Sequence, residues 1–299
     1  MAFTVSSLTD YTNKATELLY EEAVLAEDLK RYSIQGGIKD SQPLNILDVT
    51  LYFQTDACSL SNVSGTTIVE RDLEVASYAV ANSYCIKNLQ AKNLPLLPGS
   101  RINEFAPQLD EAMTMAHVNE IKRMLDSDIW LGTSGRIDGW AENISGETTQ
   151  TLTTYGGTTV TVDNIDEIIN DFVSNRTAAM KARGKLTLHC SLNVYDLYKQ
   201  NRSAANQFSD TPADFGTDEM WLFNHNGEIS IKTEPGLGTS NYMFLTWDKN
   251  LWIGVDEFSE LSSAEWVNDP VTKLIWFQAS WKIGTQVAFP NEVVHNMYA

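Results

Sequence analysis

Residues 128–144 read DIWLGTSGRIDGWAENI. Trp130 and Trp140 flank a turn that holds Gly132, Gly135 and Gly139, and an apolar helical pattern runs into it from upstream. Three readings compete for this stretch: a phosphate cradle, an acidic catalytic loop, or the exit of a structural helix. The phosphate reading fails on order and on sign. Such a loop ends in Gly-Lys-Ser/Thr and leads into a helix, whereas here the glycines follow one. The helix end on offer is the negative end of the dipole, which disfavours an anion.

Immediately upstream, APQLDEAMTMAHVNEIKRMLDSDIWL predicts a helix over 106–131. Pro107 suits its first turn, Asp110 and Glu111 sit near the positive end of the dipole, and Lys122 and Arg123 fall in the later half. Leu109, Met113 and Ala116 form one apolar row, and Val118, Ile121, Leu125 and Ile129 another, so a wide stripe is expected to be buried. At 1.5 Å per residue the helix is about 40 Å long. Gly132 stands where a C-terminal cap is wanted. The expected core and corner positions are Met113, Ile121, Leu125, Trp130, Gly132 and Trp140.

Further upstream, 33–75 holds two β-rich segments, NILDVTLYFQ and TTIVERDLEV, around a polar Ser/Asn/Gly middle. That pattern predicts a long two-stranded excursion. Such ribbons are marginal alone in water, so this one is expected to lie on its own domain or on another subunit. Residues 7–32 carry Leu8, Tyr11, Ala15, Leu18, Leu19, Ala23, Leu25 and Leu29 at helical spacing, opposite Glu17, Glu21, Glu22, Glu27 and Asp28. This helix packs either on its own domain or on a neighbour.

Downstream of the corner, a Thr-rich stretch (147–163) precedes a second helical pattern at 163–182, with Asp163 and Asn164 as caps and Lys181, Arg183 and Gly184 at its end. KLTLHCS then predicts a strand and LNVYDLYKQNR a helix. Further strands and the PGLG turn at 235–238 follow, so 160–255 reads as an α/β domain of its own. The alternation over 274–287 predicts a long strand that pairs with earlier ones, which makes the α/β domain an insertion.

The totals limit the function. With 21 basic and 39 acidic residues the net charge is −18, which argues against gripping nucleic acid or an anionic membrane. Copies of so acidic a chain associate only through apolar or complementary patches. Cys58, Cys85 and Cys190 form no metal-binding or disulfide pattern and suit synthesis in a reducing cytoplasm. No signal peptide or transmembrane run is present, so a soluble protein is expected.

Neither catalytic, metal nor cofactor chemistry emerges from the motifs. Asp126, Asp128 and Asp138, and Asp163, Asp166 and Glu167, cluster at helix ends, where carboxylates occur as solvated or capping groups. His117, His189, His225 and His295 are isolated from one another. His189 and Cys190 are adjacent, but neighbours on a strand point to opposite faces, which leaves them as core residues. Five of the eight tryptophans, Trp247, Trp252, Trp266, Trp276 and Trp281, lie late in the chain and suit either ordinary burial or inter-subunit anchoring.

The order of parts is helical arm, β excursion, long helix ending in SDIWLGTSGRIDGW (127–140), inserted α/β domain and terminal long strands. With RDLEVASYAVANSYCIKNL at 71–89 and KLIWFQASWKIGTQVAFPNEVV near the end, it resembles the major capsid proteins of tailed bacteriophages, the Hong Kong 97-like fold. The resemblance implies an α+β chain divided as follows. A helical arm spans 1–32 and an extended β loop 33–75. A peripheral domain takes 76–159 and 256–299, with its spine helix at 106–131, and an axial domain takes 160–255. It also implies a structural protein, not an enzyme and without cofactors. Hexamers and pentamers would build an icosahedral shell around double-stranded DNA, as part of the virion, assembled in the bacterial cytoplasm. Leu18, Leu25, Tyr52, Phe53, Ile68 and Arg71 are then the candidate inter-subunit contacts. A separate scaffolding protein, or prior cleavage, would stand in for the scaffolding segment that some members carry before the mature chain. A portal protein and a decoration protein complete the implied partners. No lysine lies between Lys39 and Lys87, so the lysine-mediated covalent cross-links of some members are not expected from this loop. An encapsulin-type nanocompartment shell is the nearest alternative, and a cytosolic enzyme with an acidic-loop site is the more distant one.

Overall fold

The computed structural model describes residues 27–50, 65–85, 106–133, 137–146, 150–151, 159–204, 218–222, 225, 227–256, 263–269, 271–272 and 274–296. After a 3-10 turn at Glu27–Arg31 come β1 (Ser33–Gln35), β2 (Ser41–Thr50), β3 (Gly65–Glu74), β4 (Ala76–Cys85), the long helix α1 (Ala106–Leu131) and α2 (Trp140–Ser145). The inserted part holds β5 (Gln150–Thr151), α3 (Ile165–Ser174), α4 (Ala178–Ala182), β6 (Leu186–Cys190), α5 (Leu192–Ala204), β7 (Glu219–Trp221), β8 (Ile229–Thr233) and β9 (Met243–Thr246). The chain closes with β10 (Leu251–Val255), β11 (Ser263–Asp269), β12 (Leu274–Val287) and β13 (Val294–His295).

Strand β12 organises the first, five-stranded sheet. It pairs antiparallel with β4 along one edge and with β10 and β11 along the other, while β1 adds in parallel to β10. Helix α1 lies on one face of this sheet. Of its two expected apolar rows, Val118, Ile121, Leu125 and Ile129 are at most 2% exposed, and each contributes about 1.5–3 kcal/mol of burial. The other row is less buried: Met113 is partly covered and Ala116 is exposed. Over the described side chains the apolar stripe is therefore narrower than its sequence suggests.

The second sheet is six-stranded, in the order β5-β13-β9-β6-β8-β7. On β6, Leu186, Leu188 and Cys190 point into a core built with α3 and α5, through Ile168, Phe172, Val194 and Tyr198. Thr187 and His189 point to the opposite face, Thr187 toward Arg31 and His189 toward Trp130 of α1. The two hydrophobic cores thus occupy opposite faces of one sheet, and Phe244 and Tyr242 from β9 and its approach join the first. Strands β2 and β3 form a separate two-stranded ribbon with ten registered pairs.

Several expected boundaries shift. The helical arm was read to residue 32, yet Leu29 and Tyr32 are buried in the main core of their own chain. The ribbon was read from residue 33, yet Ser33–Gln35 pairs with β10 and the ribbon starts at Ser41. The insertion was read as 160–255, but β10 belongs to the first sheet, while β5 and β13, from outside that range, complete the second. Each shift is a long-range packing or strand pairing, which leaves no local periodicity to read. The single helix expected at 163–182 is two, because Asn175 caps the first through Asp171 and the Thr177 hydroxyl accepts from Met180 N at the start of the next.

Candidate interface: the aromatic corner and the ribbon root

The opening stretch forms a corner. Gly132 ends α1 at φ +80° and donates its N–H to Asp128 O at 2.9 Å. The Thr133 hydroxyl donates to the Asp128 carboxylate at 2.5 Å, and Thr133 N donates to Ile137 O. A Cβ on Gly139 would come within 2.1 Å of Gly132 N, so the two glycines let the incoming and outgoing chains touch. Trp130 and Trp140 then meet edge-to-face at 4.9 Å, with Tyr32 at 4.9 Å from Trp140 and His189 at 5.2 Å from Trp130. The Trp140 indole donates to Trp252 O at 3.2 Å, which ties the corner to β10. The PGLG turn lies against α1, where a Cβ on Gly236 would sit 2.3 Å from the Trp130 ring.

Charges collect behind the corner. Arg31 donates to Glu219 at 2.7 and 3.0 Å and to Asp248 at 2.6 Å, and Lys185 donates to Glu219 at 2.8 Å. The buried Glu234 carboxylate accepts from Tyr32 OH at 3.0 Å, lies 3.0 Å from His189 Nδ1 and pairs with Lys232 at 2.9 Å. Burial alone would raise the pKa of Glu234, but the bond from His189 and the charges of His189 and Lys232 outweigh it and hold the carboxyl below its usual range. Asp248 shows the same balance: burial raises it, while the charge of His189 and the bond from Arg31 bring it down. Glu219 is also desolvated, yet its bonds from Arg31 and Lys185 keep it well below the usual range. The arrangement clasps Arg31 and Tyr32 onto the second sheet. It offers charge neutralisation, with each carboxylate committed to a cation.

The ribbon is rooted over a pair of glycines. Gly254 on β10 and Gly284 on β12 are direct cross-strand partners. A Cβ on Gly284 would lie 1.8 Å from Glu74 O, and one on Gly254 would lie 2.9 Å from Val75. The missing side chains leave a depression in the sheet, and the β3–β4 junction settles into it, pinned by Val75 N donating to Asp40 O. Ile38, Leu44, Leu73 and Val75 make a small apolar core there. Beside it lies a cavity of about 660 Å³ between the ribbon root, the corner loop and β12.

The expected contact residues fare unequally. Leu18, Leu25, Tyr52 and Phe53 lie outside the described residues. Ile68 stands opposite Leu47 in the ribbon register. Arg71 lines the root cavity and donates to Gln286 of its own chain at 3.4 Å. The spine and corner residues come together as a cluster: Ile121, Leu125, Trp130 and Trp140 are buried in one core with Met113 packed against it. The charged clasp was missed, since its residues come from five separate segments. The glycine pair had a signal, because a glycine inside each of two apolar strand patterns marks close backbone approach.

No family model matches the chain, and no curated protein does. Solved structures do. The capsid of Myoviridae phage XM1 aligns over 93% of both chains at 12% identity with a TM-score of 0.57. The chain has the Hong Kong 97-like capsid fold. Over this fold it is also similar to a virus-like particle from Pyrococcus furiosus, at 12% identity across 98% of this chain and 100% of that one, TM-score 0.55. The procapsid of satellite phage P4, a structure that includes the size determination (Sid) protein, aligns over 100% and 92% at 11% identity, TM-score 0.55. In this capsid fold the corner and the ribbon root are two of the places where separate parts of the chain meet.

Proposed function

We propose that the chain is a structural shell subunit, the major capsid protein of a tailed double-stranded DNA phage, assembling as hexamers and pentamers into an icosahedral virion capsid. The observation that carries the reading is end-to-end likeness in fold to particle-forming chains, at 93–100% coverage of this one. The ribbon supports it: ten residue pairs project as a two-stranded sheet of their own, an arrangement marginal in water until another surface covers it. In this reading the ribbon lies across an adjacent copy, α1 is the spine of a peripheral domain, and the inserted sheet with its helices is the axial domain. The N-terminal arm reaches a neighbour, with Leu18 and Leu25 as its contacts, while Tyr52, Phe53, Ile68 and Arg71 serve the ribbon's contact. A separate scaffolding protein, a portal and, outside, a decoration protein are the further partners, and assembly takes place in the bacterial cytoplasm. The net charge of −18 keeps the wall from gripping the genome that must be packed and released.

Purified protein imaged by negative stain should show closed particles or capsomers, and a uniform small oligomer at high concentration would refute the shell. The contents of particles made in the native host decide between a genome-bearing capsid, which holds DNA, and a nanocompartment, which holds protein. Denaturing gels of such particles should show monomers, since no lysine lies between Lys39 and Lys87; a ladder of cross-linked chains would contradict this.

A further inference from the structure

Among the described residues, strand β4 is an open edge. Its ten residues pair with β12 from Ala76↔Ile283 to Cys85↔Leu274, and among the described residues no strand pairs with its other side. Sheet edges are usually guarded by lysine, proline, a bulge or short length. The sequence of β4, ASYAVANSYC, is uncharged and free of proline, and its register with β12 is unbroken. Tyr78, Val80 and Tyr84 on its inner face pack against the main core but stay only partly buried, so apolar surface continues to the open side. The strand also lies in the longest acid-free stretch of the chain, 75–103. In a molecule of net charge −18, two copies meet least repulsion there.

We propose that β4 pairs antiparallel with β4 of a second copy, about a two-fold axis normal to the sheet, so that two five-stranded sheets become one. The inference rests on the shell reading above and adds a specific contact to it. Side chains alternate faces with a period of two, so only registers centred on a residue keep inner face beside inner face. The centre of the strand places that residue at Val80 or Ala81. An axis normal to the sheet leaves α1 of both copies on the same side. A closed wall imposes that condition, because every subunit must turn the same face inward. The contact is isologous, and an uncharged strand opposes no like charges across its own dyad.

The test uses the full-length chain with Val80→Cys or Ala81→Cys, oxidised mildly after assembly and run on non-reducing denaturing gels. Antiparallel partners have Cα atoms about 4.5–5.5 Å apart, within the range a disulfide spans. One of the two variants should convert most chains to reducible dimers while the wild type, with its native cysteines, stays monomeric; failure of both overturns the proposal. Ala81 is exposed, so Ala81→Lys should leave the circular dichroism unchanged and lower particle yield at least tenfold by bringing two lysines together across the dyad, directly opposite in the Ala81-centred register and diagonal in the Val80-centred one. Wild-type yield from that variant counts equally against the pairing. If the wild type forms no particles, the shell reading fails by itself, and the two cysteine variants are oxidised at high concentration instead. Dimers there sustain the strand pairing alone, and persistent monomers end both.

Discussion

At Gly284 the space a single methyl group would need is already taken by the Glu74 carbonyl oxygen, 1.8 Å from where the Cβ would stand. Backbone cannot rotate out of the way as a side chain can, so Gly284→Ala must lift the ribbon root or distort β12. We expect a loss of about 1–3 kcal/mol, the usual cost of overpacking, together with faster proteolysis between residues 40 and 75. An unchanged melting temperature and digestion pattern would show that the root is not seated there. Gly132 is constrained differently, by its left-handed φ of +80° as well as by contact with Gly139. Gly132→Ala should cost about 1–2 kcal/mol from conformation alone, read by denaturant unfolding; an effect below that would mean the corner relaxes freely.

Among the elements, α1 does most of the joining. One end of it meets the first sheet, where the buried Trp266 indole donates to Thr114 at 2.9 Å and the His117 ring lies 4.4 Å from Phe277. His117 Nδ1 donates to Met113 O at 2.6 Å, and Nε2 faces Tyr84 OH at 2.9 Å, so the imidazole ties helix to strand. The other end carries Trp130 into the corner, where it touches rings from the 3-10 turn's exit, α2, β6 and β9. Trp130→Ala should therefore cost about 3–5 kcal/mol and loosen both sheets together. Hydrogen exchange that rose only in α1 would contradict that coupling. The helix's limits were plain in its sequence because capping residues and periodicity are local. The ribbon's two strands were legible too, but not the point where they leave the sheet, since Val75 and Asp40 meet only through the fold.

At the scale of the whole molecule, the charged clasp joins what the chain order separates. Arg31 precedes the first strand, Glu219 and Glu234 belong to the insertion, and Asp248 leads into β10. The carboxyls of Glu219, Glu234 and Asp248 are all held below their usual range, so their contribution to stability is complete above the unfolded value of about pH 4. It is lost progressively as pH falls from that value through the depressed folded values. Glu219→Gln should lower stability at pH 7 by about 1–2 kcal/mol, discounted for its partial exposure. The gap between variant and wild type should narrow progressively below about pH 4; a gap independent of pH would assign the loss to packing instead.

The sequence by itself determined the long helix, its glycine exit, the ribbon strands, the buried identity of His189 and Cys190 on opposite faces of a strand, and the lack of a catalytic motif. All of these depend on local periodicity, capping or turn chemistry, which act over a few residues. Only the tertiary structure decided that Tyr32 belongs to the main core, that β10 and β13 exchange the sheets expected of them, and that Gly254 and Gly284 stand opposite each other. It alone also brought Arg31, Glu219, Glu234 and Asp248 into one network. Those features are pairings between residues up to about two hundred positions apart, selected by the burial of whole faces. No short window of the chain records which distant surface will cover it.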